Sequence, residues 1–323
     1  MKIVTAYNMA LADEPVAMMR QIADVVSPRD GSEDSLIEAV RDADSLLVDV
    51  HPPVSRRVFD AAPKLKHVAR MGIGVDTVDL TAATEHGVMV TNCPDASTDT
   101  VAEFTLTMLL ALARHVTWCD RAVRTGHWND RLELIGINTE LFGKTHGVIG
   151  LGRIGSRVAT RCKAFGMTLI YYDVVRNEAL EREHGIAYRP LDRLLREADT
   201  MSLHLPLTAQ TRDLITRPQF ETMKKTALLV NQSRGKVVNE KDLVEALRAG
   251  IIAGYATDVY DTEPPNSELT TLPNVFLSPH LAGLTRESRI RLNMTIAQDA
   301  IQVLRGEVPA NLVNKDVVGR LRR

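Results

Sequence analysis

Short apolar runs alternate with amphipathic helical stretches along nearly the whole chain, and few folds accommodate that order. Runs such as Leu46–Val50 and Val88–Asn92 are too short to be core helices. With helical patterns on either side, they read as strands of a parallel sheet joined by crossover helices. The first series has strands at Met1–Tyr7, Leu46–Val50, His67–Met71 and Val88–Asn92, with helices at Pro15–Val26, Ser55–Ala62 and Leu80–His86. The Ala-, Leu- and Thr-rich stretch Ser97–His115 reads as a mostly buried helix, with Ser97 or Thr98 placed to cap it and Asp99 and Glu103 near its start. A second series follows, with strands at Thr145–Ile149, Thr168–Tyr172, Thr200–His204, Ala227–Asn231, Gly254–Thr257 and Val275–Leu277. Its helices are Ile154–Phe165, Leu191–Glu197, Pro218–Thr222 and Glu240–Ala249. The last helix, Thr285–Arg305, comes after that sheet is finished and is expected to return to the first unit. The fold class is therefore α/β, with two doubly wound parallel-sheet domains. The first is discontinuous (residues 1–95 plus 285–323) and the second spans 96–284.

A length of 323 residues suits two domains of ordinary size. The formal net charge of -2 gives no electrostatic reason to expect nucleic acid or an anionic membrane as partner. The basic tail Arg320–Arg323 reads as a short solvated segment. Cys93, Cys119 and Cys162 show no CxxC spacing, so neither a metal site nor a disulfide framework is expected, and a reducing cytoplasm fits. No apolar run approaches the roughly 18–20 residues that span a bilayer, and the N-terminus lacks the order of a signal peptide.

The sharpest local signal is Gly150-Leu-Gly152-Arg-Ile-Gly155. It follows an apolar strand and opens a helix, the context that makes this motif a dinucleotide-binding loop. Gly150 permits the tight turn, Gly152 lets a pyrophosphate approach the backbone, and Gly155 lets helix and strand pack closely. The N–H groups at the helix start then face the phosphates. The next strand ends at Asp173, where a carboxylate accepts hydrogen bonds from ribose hydroxyls and repels an extra phosphate. NAD is favoured, while Arg176, three residues on, leaves NADP open.

Three more segments each end a strand of the second series: Asn231–Gly235, Asp258–Pro264 and Ser278–Gly283. Residues there face the crevice in which ligands of such sheets bind. A histidine side chain can both give and take a proton near neutral pH, so His280 suits an acid/base that exchanges a proton with a hydroxyl or carbonyl oxygen. Glu263 would orient its ring, and Arg234 offers a planar fork for a substrate carboxylate. The trio predicts hydride exchange between a nicotinamide cofactor and a small 2-hydroxy or 2-keto acid.

Together these segments resemble the D-isomer-specific 2-hydroxyacid dehydrogenase family. Arg70-Met-Gly72-Ile-Gly74-Val-Asp76 is similar to its substrate loop, and Pro94–Arg114 to its hinge and first long helix. The resemblance implies a Rossmann NAD-binding domain and a smaller flavodoxin-like substrate domain. It implies further that amides near Ile73 and Gly74 hold the carboxylate, with Arg234 and His280. It assigns Arg153 and Ile154 to the pyrophosphate, Leu205 and Pro206 to the adenine side, and Gln232 and Ser233 to the cofactor's flanks. Asp258 would orient the nicotinamide amide, and Ala282 and Gly283 would close its pocket. A homodimer through the cofactor domains and closure of the cleft on binding complete the picture. Phosphoglycerate enzymes of the family typically place a basic residue in the loop that here reads Val48–Pro53; Asp49 stands near that place and would repel a substrate phosphate. Glyoxylate or hydroxypyruvate is favoured over 3-phosphoglycerate. The segment Cys93–Ala113 also resembles the C-terminal-binding-protein corepressors, which makes an NAD-sensing interaction protein the rival reading.

Overall fold

A computed structural model describes residues 1–9 and 11–322. The chain forms two compact units, Met1–Ser97 with Leu284–Arg323, and Thr98–Gly283.

The first unit contains β1 (Lys2–Thr5), α1 (Asp13–Arg20), β2 (Asp24–Val26), α2 (Glu33–Val40), β3 (Ser45–Val48), α3 (Arg56–Ala61), β4 (His67–Arg70), α4 (Leu80–Glu85) and β5 (Met89–Thr91). Its sheet is parallel throughout, in the order β2-β1-β3-β4-β5. β3 and β4 are buried along their whole length, as strands covered on both faces must be.

The second unit opens with α5 (Thr98–Ala113) and α6 (Val116–Arg124). It continues with β6 (Thr145–Ile149), α7 (Arg153–Ala164), β7 (Thr168–Tyr172), α8 (Glu178–His184), β8 (Ala187–Tyr188), α9 (Leu191–Glu197) and β9 (Thr200–Leu203). α10 (Arg217–Thr222), β10 (Leu228–Asn231), α11 (Glu240–Arg248), β11 (Gly254–Thr257) and β12 (Val275–Leu277) complete it. The seven strands run parallel in the order β12-β11-β10-β9-β6-β7-β8. The order reverses at β6, so the β6–α7 turn lies at the topological switch point, where such sheets bind ligands.

α12 (Arg286–Leu304) belongs to the first unit. A capping box between Thr285 and Ser288 starts it. Leu292, Ile296, Ala297 and Ala300 are buried against Ile3, Met19, Leu47 and Ala69. Burial of Leu292 and Ile296 is worth about 1.5–3 kcal/mol each.

Two expectations need correction, and several elements were not expected. The helix expected over Pro15–Val26 ends at Arg20, and Asp24–Val26 forms edge strand β2. Apolar spacing runs on through the turn, so periodicity could not find the break. The helices α2, α6 and α8 and the two-residue β8 carried no expectation. α2 does begin on a legible signal, with the Ser32 side chain accepting from the Ser35 amide at 3.2 Å. The basic tail is not simply solvated: the Arg322 guanidinium donates to the carbonyls of Ala62 and Leu65 at 2.5 and 3.3 Å. Arg323, part of the same expectation, lies outside the described residues.

Two histidines are fully buried in the sheets. His67 hydrogen-bonds to Ser45 Oγ and Thr91 Oγ1, each at 3.0 Å. His146 does so to Thr200 Oγ1 at 2.7 Å and Ser202 Oγ at 3.0 Å. Burial pushes His67 down to about 3 and His146 down to about 4, so both are neutral at pH 7. Among the described residues, no helix is long and apolar enough to cross a membrane.

Candidate active site

The β6–α7 turn has the backbone that a dinucleotide loop needs. Gly150 has φ +96°, and its amide donates to the Tyr172 carbonyl at 2.8 Å. Any side chain there would strike the carbonyl of His204. A Cβ on Gly155 would run into the carbonyl oxygen of Gly150, so α7 approaches the turn more closely than alanine permits. Gly152, the N-cap of α7, is different: nothing lies within 4 Å of where its Cβ would be. That opening beside the first amides of a 12-residue helix fits a pyrophosphate.

Asp173, just past β7, accepts from the Leu151 amide at 2.9 Å and from the Val174 amide at 2.7 Å. It therefore also pins the glycine loop from below, a task not evident in the sequence. Arg176 is committed elsewhere. Its Nε and Nη2 donate to Glu181 at 2.7 and 2.9 Å, and this contact raises the guanidinium pKa. Tyr171 donates its hydroxyl to the same carboxylate at 2.9 Å.

The structure brings Glu263 and His280 together. His280, on the loop after β12, places Nδ1 2.8 Å from Glu263 Oε2. With Nδ1 engaged there, Nε2 is the ring nitrogen left for a substrate oxygen. Arg234, on the loop after β10, donates Nη1 to the Ser233 carbonyl at 2.7 Å, and its own carbonyl accepts from Asn231 Nδ2 at 2.9 Å. A Cβ on Gly235 would collide with the backbone of Tyr260, which fixes how closely the β10 and β11 loops pass.

The residues expected to flank the cofactor divide. Leu205 stands beside Gly150 and packs on the core, and Ile154 packs against the opposite core face. Arg153 and Pro206 are exposed. Ala282 is buried and Gly283 half-buried. Gln232 turns into the protein, hydrogen-bonding Thr105 Oγ1 and Met108 Sδ of α5, and Ser233 is held inward by Asn231 Oδ1 at 2.8 Å. Asp258 gives one carboxylate oxygen to the Leu281 amide and the other to the Ala282 amide, each at 2.8 Å. In the first unit, the Ile73 carbonyl accepts from Asn92 Nδ2 at 2.7 Å, while Ile73 and Gly74 stay half-buried. There Arg70, buried at the end of β4, lies 3.5 Å from the Asp49 carboxylate.

Sequence reasoning missed Asn231 and Tyr260. Asn231 is fully buried at the end of β10, where its amide organises Ser233 and Arg234. Its signal is a polar side chain closing the apolar strand Leu228–Asn231. Tyr260 carried no such signal.

Residues 106–282 match the D-isomer specific 2-hydroxyacid dehydrogenase, NAD binding domain. The chain is similar to a glyoxylate reductase of Korarchaeum cryptofilum, with 45% identity over 290 residues covering 89% of this chain and 87% of the relative. It superposes on the TT0316 protein of Thermus thermophilus with TM-score 0.89 at 34% identity, covering 97% of this chain and all of the other. A D-lactate dehydrogenase from Aquifex aeolicus, solved with NAD and lactic acid, gives TM-score 0.86 at 28% identity, covering 97% and 99%.

Proposed function

This chain belongs to the D-isomer specific 2-hydroxyacid dehydrogenases, enzymes acting on CH–OH donors, and from that premise we propose that it reduces glyoxylate, hydroxypyruvate or a similarly small 2-keto acid with NADH. The observation that carries the reading is the 2.8 Å Glu263–His280 contact, on the same sheet that opens the glycine loop. The bound nicotinamide supplies or accepts the hydride. His280 delivers a proton from Nε2 to the carbonyl oxygen and takes it back in the reverse direction. Glu263 holds the ring by Nδ1 and stabilises the imidazolium. Arg234 grips the substrate carboxylate with two parallel donors. Such positioning converts the step into an effectively unimolecular one.

NAD is preferred over NADP for two reasons: Asp173 faces the ribose, and Arg176 is already paired with Glu181. Gly152 with Arg153, Ile154 and Gly155 holds the pyrophosphate, Leu205 and Pro206 border the adenine, and Asp258, Ala282 and Gly283 frame the nicotinamide; Gln232 and Ser233, turned inward, leave only their backbone to flank the cofactor. A phosphorylated substrate is disfavoured because Asp49 counters Arg70 in the first unit. The enzyme is read as a cytoplasmic homodimer.

The test is NADH consumption across glyoxylate, hydroxypyruvate, pyruvate and bulkier 2-keto acids, with His280→Ala as control. Loss of proton transfer is expected to cut kcat by about 10²–10⁴-fold while NADH still binds. Turnover that survives in His280→Ala would remove the assignment. Tight NADH binding with no turnover of any keto acid would favour a cofactor-sensing scaffold.

A further inference from the structure

His280 has φ +54°, the left-handed region that a side chain bearing a Cβ rarely adopts. Such a conformation persists only where its surroundings over-determine it. The residues leaving β11 supply that constraint from both sides. Asp258 is 1% exposed, and among the described residues no cation pairs with it. Its carboxylate is instead spent on the Leu281 and Ala282 amides, the two that follow His280. Hydrogen bonds to an ionised acceptor are the strong kind. Two residues before His280, the Ser278 carbonyl accepts from the Tyr260 hydroxyl at 2.8 Å. The Tyr260 amide in turn donates to Glu263 Oε1 at 3.3 Å, on the carboxylate whose other oxygen meets His280. Burial pushes the Tyr260 phenol up to about 12, so it remains a donor across the working pH range.

We propose that Asp258 and Tyr260 are positioning residues that brace the Ser278–Ala282 loop on both sides of His280, hold it left-handed, and so fix its ring against Glu263 with Nε2 presented to substrate. The proposal rests on His280 being the acid/base. Tyr260 touches the loop through its hydroxyl and the glutamate through its backbone amide, so one residue meets both the histidine's loop and its partner. The brace is compatible with a contact from Asp258 to the nicotinamide amide, since each carboxylate oxygen keeps a further lone pair.

Tyr260→Phe is the decisive variant because it removes one hydroxyl and touches no residue assigned to cofactor or substrate. Its kcat for keto-acid reduction is expected to fall about tenfold, with KM for the keto acid and Kd for NADH within about twofold of wild type. Asp258→Asn can accept only one of the two amides, and its kcat is expected to fall about 100-fold. Fluorescence titration of NADH and a thermal melt accompany each variant. An unchanged kcat in Tyr260→Phe overturns the brace, as does a loss of activity matched by the same loss of NADH affinity or of folded protein. If His280→Ala keeps wild-type turnover, the acid/base reading fails instead, so the two failures are distinguishable.

Discussion

At the residue scale, the chain contains histidines of opposite character. His280 is half-buried on a loop and has a ring nitrogen left for chemistry, whereas His67 and His146 have both nitrogens bonded inside a sheet. The buried pair makes stability depend on pH. Folded, each stays neutral down to about 3 or 4; unfolded, each takes a proton below about 6.5. Their contribution is complete above pH 6.5 and is lost as the pH falls toward the folded values. Each group costs up to about 1.4 kcal/mol per pH unit inside that window. Urea midpoints measured between pH 7 and pH 5, above most carboxylate titration, are expected to fall steadily, and less steeply in His146→Asn. Midpoints that do not move over that range would contradict neutral burial. The types and places of Arg234, Glu263 and His280 were legible in the sequence because each chemistry restricts the side chain and each follows a strand. The bonds of Gln232 and Ser233 were not, because a side chain's direction depends on neighbours such as Thr105, Met108 and Asn231, all distant in sequence or hidden by the turn.

At the scale of elements, the proposed preference for NAD rests on the β7–α8 turn. Asp173 caps the glycine loop through the Leu151 amide, so replacing it would disturb the loop together with the ribose contact proposed for it. Glu181 is the cleaner lever. Glu181→Gln releases Arg176 with Asp173 intact, and the ratio of kcat/KM for NADPH over NADH is expected to rise about tenfold or more. A wild-type enzyme that already prefers NADPH would defeat the argument. Elements with a clear apolar run were legible: β6, β7, α9, β11 and even the three-residue edge strand β12 fall where the apolar pattern put them. The edge strands β2 and β8 were not. β2 and β8 have two or three residues, too few for periodicity to register, and the sheet beside them supplies the order. α6 escaped because none of its residues is buried, so no packing in this chain marks its face.

At the scale of the whole molecule, that exposed face suggests a second copy as its cover. Val123, Trp128, Leu132, Ile135 and Phe142 are each 59–75% exposed within one segment of the second unit. Apolar side chains gathered this way mark association surfaces. Sedimentation is expected to give twice the 35.7 kDa chain mass, and Leu132→Asp with Ile135→Asp a monomer. A wild-type monomer at micromolar concentration would end that reading. The sequence by itself determined the α/β class, the two series of strands, the glycine loop and the choice of Glu263 and His280 as the candidates for an acid/base pair. Those follow from local chemistry: period, turn geometry, and the few side chains able to move a proton or grip a carboxylate. Only the tertiary structure decided that Asp173 holds the glycine loop, that Glu181 occupies Arg176, and that Asp258 and Tyr260 grip the left-handed loop of His280. Apart from Arg176–Glu181, which is local to the start of α8, each of those contacts joins segments brought together by strand pairing or loop packing, and no spacing along the chain encodes which carboxylate meets which amide.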